Sequence, residues 1–175
     1  MKDYTVMSEE VNVDKLVEKF HQDGYAEIRN LLNVDSLNEV HTFANKNFDE
    51  AIDTIKENGL EFGIGTKNGF KEMVERHEKR YEMPYKMHHP FIDTIKEDKW
   101  LSSVVKGILG DDAVVINQSL IMCLPGAGDQ AWHSDGAHVS LSKHLPCHVL
   151  NVFIPLVDLT LELGPTEFRP GMLIE

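Results

Sequence analysis

Apolar positions set the helices of the first half of the chain. Val13, Leu16, Val17 and Phe20 fall at i, i+3, i+4 and i+7, the stripe of an amphipathic helix that Gly24 ends. Tyr25 to Leu32 reads as a short strand. Ser36-Leu37-Asn38-Glu39 has the form of a capping box, and Leu37, Val40, Ala44, Phe48, Ala51, Ile52 and Ile55 follow at helical spacing as far as Gly59. Gly59 to Gly69 is a glycine-rich loop. Phe70 to Tyr81 reads as a helix with Met73, Val74 and His77 on one side. Trp100, Leu101, Val104, Val105, Ile108 and Leu109 form another helical stripe, closed by Gly110.

Beyond Gly110 the helical period disappears. Ala113 to Leu124 is apolar and β-branched, Pro125 to Asp129 is a loop, and Trp132 to Leu141 and His148 to Leu159 read as strands. Leu163-Gly164-Pro165 turns the chain into a last short strand, Thr166 to Arg169, which Pro170-Gly171 ends. Helices first and clustered strands afterwards predict an α+β protein with a mainly β core. The expected architecture is a jelly roll with N-terminal helices, in one domain over 1–175: helical to about 110, then a partial β-barrel over about 111–175.

Composition narrows the function classes. The chain has 175 residues and a net charge of −12, which disfavours nucleic acid and anionic membranes as partners, because both select clustered Lys and Arg. Cys123 and Cys147 do not form a CxxC pair, and two cysteines make no disulfide scaffold, so a reducing compartment, the cytoplasm, is expected. Met1-Lys2-Asp3-Tyr4 opens no apolar signal core, and no apolar run reaches membrane-spanning length.

The candidate chemistry lies at Trp132-His133-Ser134-Asp135. Strand side chains alternate faces, so His133 and Asp135 would point the same way and offer two ligands of the facial triad that holds non-haem Fe(II). The tripeptide alone is weak evidence: 9 His and 13 Asp in 175 residues give roughly 0.7 His-x-Asp by chance. A second copy, His21-Gln22-Asp23, falls on a helix, where positions i and i+2 diverge by about 200° and cannot share an ion. His88-His89 before Pro90 reads as a solvated or packing pair in a loop. His138 should face away from Asp135, and His144 and His148 flank Pro146. Cys123 reads as a small buried hydrophobe. Gly63-Ile64-Gly65 with Gly69 lacks the preceding strand of a dinucleotide site.

Several segments together resemble the phytanoyl-CoA dioxygenase family of Fe(II)- and 2-oxoglutarate-dependent oxygenases. They are Phe20-His21-Gln22-Asp23-Gly24-Tyr25 with Leu31-Leu32, then Trp132-His133-Ser134-Asp135, then Phe153-Ile154-Pro155-Leu156-Val157-Asp158, Leu163-Gly164-Pro165-Thr166 and Arg169-Pro170-Gly171. The resemblance implies His133 and Asp135 as iron ligands, and 2-oxoglutarate bound from positions near Gln118 and Phe153, with Asn151 as a neighbour. Phe153 reads equally well as a core aromatic, and Gln118 replaces the hydrophobic residue expected there. The implied reaction consumes O2 and 2-oxoglutarate, releases succinate and CO2, and hydroxylates a small organic or acyl-type substrate.

Relatives usually continue the Pro-Gly element with Ser-His, and some tens of residues later carry a distal His ligand and an Arg for the co-substrate carboxylate. Here Met172-Leu173-Ile174-Glu175 follow Pro170-Gly171. Two expectations of different class result: an active oxygenase seen in shortened form, with a barrel incomplete at its C-terminus, or a non-catalytic truncated product lacking those two residues. The substrate and the oligomeric state have no readable code in this sequence.

Overall fold

The computed structural model describes residues 12–62, 69–70, 72–83, 89–136 and 146–171. The chain divides into two compact units, one of residues 1–37, 90–114 and 132–175, the other of 38–89 and 115–131. It is a mixed α/β protein with four α-helices and a small antiparallel sheet among the described residues.

In the first unit α1 (Val13–Asp23) follows its expected bounds. The Asn12 side chain accepts the Lys15 N–H at 3.0 Å, and Gly24 stops the helix in the left-handed region at φ 84°. Such a conformation carries no Cβ penalty in glycine. The stripe packs on α4 (Lys99–Leu109), where Phe20, Val104 and Ile108 form a core lined by Val13, Leu16, Val17, Cys147 and Leu150. The packing is tight at Gly107: a Cβ there would lie 2.6 Å from Val17 Cγ2. The Asp98 side chain caps α4 by accepting the Leu101 N–H at 2.8 Å.

Helix α3 (Pro90–Glu97), which the apolar pattern does not predict, starts directly after His89, itself outside any helix or strand as expected. Proline at the first helical position sacrifices only an N–H that has no intrahelical partner, and Phe91 and Ile95, four apart, supply the buried face. The segment Tyr25 to Leu32, expected as a strand, is irregular apart from a single bridge at Leu32.

Helix α2 (Val34–Asn58) begins before the capping box that Ser36 suggests. The cap is Asn33, whose Oδ1 accepts from the N–H groups of Asp35 and Ser36 at 2.9 and 3.2 Å. In the second unit Val40, Ala44, Phe48, Ala51 and Ile55 are its buried positions. Two-residue strands β1 (Glu61–Phe62) and β2 (Gly69–Phe70) pair in parallel.

The helix expected over Phe70 to Tyr81 is instead a hairpin. Strand β3 (Val74–His77) runs antiparallel to β4 (Arg80–Met83), which pairs on its other side with β5 (Leu120–Cys123). The turn places Lys79 at φ 60°, which no right-handed helix accommodates, and its N–H donates to Glu75 Oε1 at 2.9 Å. Pairing on both edges of β4, together with burial of Tyr81 and Met83, outweighs the short helical pattern of Met73, Val74 and His77. Phe48 meets Tyr81 edge-on, at a centroid distance of 5.4 Å. Burial, reinforced by Glu75, pushes the Tyr81 phenol above its ordinary value.

The region expected to build the barrel is largely irregular where it is described. Of Ala113 to Leu124 only β5 is a strand, and residues 146–160 and 164–169 have no regular structure. A hydrophobic run becomes a strand only when a neighbouring strand takes up its backbone hydrogen bonds, and no such ladder forms there among the described residues. Leu161–Leu163 form a 3-10 turn that Gly164 ends at φ 64°, as the Leu-Gly-Pro sequence suggests. No helix among the described residues is long and apolar enough to cross a membrane.

Candidate metal centre

His133 and Asp135 lie in residues 131–136, which form no strand. Of the strand expected over Trp132 to Leu141, residues 132–136 are irregular, and 137–141 lie outside the described residues. The two side chains nevertheless share a face: His133 Nε2 stands 3.2 Å from Asp135 Oδ1. Both are about half exposed, at 53% and 49%.

The other oxygen of the carboxylate is engaged from a distant segment. Asn151 Nδ2 donates to Asp135 Oδ2 at 2.7 Å. Ser134 turns away, its hydroxyl donating to the Gly136 carbonyl at 3.2 Å.

The Pro-Gly element braces the same stretch. The Arg169 guanidinium lies over the Trp132 ring, 4.2 Å from its centroid, and Phe168 stacks on Tyr25 at 4.7 Å. Gly171 then donates its N–H to the Asp23 carbonyl at 3.1 Å. Residues 168–171 therefore tie the end of α1 to the residue before His133.

The donor pair suits a divalent ion. Two donors cis on an octahedral ion, each at about 2.1 Å, stand about 3 Å apart. The His133–Asp135 separation of 3.2 Å matches that bite. One imidazole and one carboxylate are the mixed donors of the facial triad. Among the described residues no group of three His, Cys, Asp or Glu side chains is gathered for a metal.

The other sequence-derived candidates separate clearly. His21 is exposed on the last turn of α1, and Asp23 pairs with Lys19, so that His-x-Asp is the chance copy. His89 is buried with its ring 5.0 Å from Phe43, the packing role; His88, His138 and His144 lie outside the described residues. His148 is exposed. Cys123, expected to be buried, is exposed: β5 alternates faces, and Leu120 takes the inward one. Cys147 is half-buried on the α1–α4 core, and burial pushes its thiol up.

Phe153 is 59% exposed, so it is no core aromatic. Gln118, in the other unit, has a buried Oε1 without a hydrogen-bond partner. Asn151 reaches Asp135 across sixteen residues, and no local spacing signals such a contact.

A mixed α/β protein with an exposed His-x-Asp pair whose side chains approach to 3.2 Å is what these observations define. The model of the phytanoyl-CoA dioxygenase (PhyH) family matches residues 20–172, and the chain belongs to that family. Membership suggests an oxygenase-type enzyme; members typically use Fe(II) and 2-oxoglutarate. No solved structure matches the chain.

Proposed function

We propose that this chain is an Fe(II)- and 2-oxoglutarate-dependent dioxygenase that hydroxylates a small organic or acyl-type substrate, with His133 and Asp135 as two of its iron ligands. The observation that carries the reading is the 3.2 Å approach of His133 Nε2 to Asp135 Oδ1 in a chain of this family. The family match also favours it over a non-catalytic product. Bound there, the iron would supply O2 activation coupled to decarboxylation of the 2-oxo acid.

The chain's own residues do the positioning. His133 offers a lone pair at Nε2 only when its ring is neutral at that atom, and Asp135 offers Oδ1 with a negative charge that offsets part of the ion's. Phe153 is assigned to the co-substrate site as an exposed aromatic surface that excludes water. Gln118 is read on its own environment alone: an amide whose buried oxygen has no partner can turn over to present N–H donors to a carboxylate. Two free cysteines suit the cytoplasm.

The test is anaerobic loading with Fe(II), then O2 and 2-oxoglutarate, with succinate as the readout. We expect succinate release that depends on 2-oxoglutarate and falls at least about 100-fold in His133→Ala. Release unaffected by that substitution, or no release from the loaded chain, would overturn the reading.

A further inference from the structure

We propose that Asn151 is a positioning residue of the metal centre, which commits Asp135 to binding through one oxygen. The inference rests on the metal-binding reading of His133 and Asp135. The two carboxylate oxygens of Asp135 have different partners: Oδ2 accepts from Asn151 Nδ2 at 2.7 Å, and Oδ1 faces His133 Nε2 at 3.2 Å. A contact of 2.7 Å lies at the short end for N–H···O, as expected for an ionised acceptor. Rotating the carboxylate to offer both oxygens to an ion would break that bond. Asn151 therefore holds Oδ1 in the orientation that faces the imidazole.

The donor is anchored from behind. Leu150, the residue before it, packs on the core of Phe20, Val104 and Ile108, as does Cys147. The register of Asn151 against Asp135 is thus set by the α1–α4 pair and not by the loop alone. An amide suits the place chemically, because it donates to the carboxylate yet brings no charge that would compete with the ion. Outer partners of this kind fix the orientation of a ligand, and their loss typically costs about 10–100-fold in metal affinity.

The test titrates the full chain with Co(II), read by the visible absorption of the bound ion, beside apo melting temperatures. In Asn151→Leu, which keeps the side-chain shape but has no donor, we expect Co(II) binding weakened about 10–100-fold and a changed absorption band. Asn151→Ala should behave alike, and Asn151→Gln should recover part of the affinity. The apo melting temperatures should stay close to that of the parent, since the bond is exposed. Co(II) affinity and spectrum unchanged in Asn151→Leu would overturn this role and leave the metal reading intact. A fall in both affinity and apo melting temperature that Asn151→Gln does not reverse would also overturn it. A parent chain that binds no Co(II), or a His133→Ala variant that binds as tightly, would overturn the metal reading itself and this inference with it.

Discussion

A buried carbonyl oxygen without a donor costs about 1–3 kcal/mol, and Gln118 carries one. The cost is consistent with an amide kept for a ligand. Replacing it with leucine removes the unsatisfied group while keeping most of the volume. Gln118→Leu should therefore melt no lower than the parent, and up to about 1 kcal/mol higher in stability. Its dependence on 2-oxoglutarate should shift to higher concentration. Thermal unfolding and a 2-oxoglutarate titration of succinate release check the two together. A lower melting temperature would mean that the amide is part of the scaffold. Asp135 shows the opposite economy, since both its oxygens already face a partner.

Among the elements, the pairing of α1 with α4 is where one atom decides stability. Gly107 sits inside α4, and alanine there would gain about 1 kcal/mol of helix propensity. The added methyl, however, would lie 2.6 Å from a Val17 methyl, and overpacking of that kind costs about 1–3 kcal/mol. The clash wins: Gly107→Ala should be destabilising by about 1 kcal/mol in urea unfolding. In a Val17→Ala background the same change should become stabilising, because only the propensity gain remains. An unchanged sign would remove the clash as the cause. Helices α1, α2 and α4 were legible because their apolar spacing repeats over two turns or more and glycine follows each. Helix α3 was not, since a proline at its start reads as a breaker, and β3–β4 was not, since its pairing with β5 joins residues far apart in sequence. The His-x-Asp pair was readable as a spacing. Asn151 was legible only as a neighbour of the implied co-substrate positions; its bond to Asp135 was not, because only the folded chain brings the two together.

At the scale of the whole molecule, the two units differ in how they are threaded. The second gathers two stretches of chain, 38–89 and 115–131, whereas the first gathers three, and its donor pair lies in the last. The hydrogen bond from Gly171 to Asp23 closes nearly the whole length of the chain. Contacts of such separation form late, because the entropy of closing a long loop is lost before the contact returns anything. Folding should thus be ordered in time, with chemistry last. In pulse-labelled hydrogen exchange during refolding, amides of the α2 segment and of β4 should gain protection before the amide of Gly171. An interval should then exist in which most of the backbone is already native while Trp132 still lacks the Arg169 brace. Metal offered during that interval should bind more slowly than metal offered to the finished fold, so the rate of loading would report on the closing of the chain.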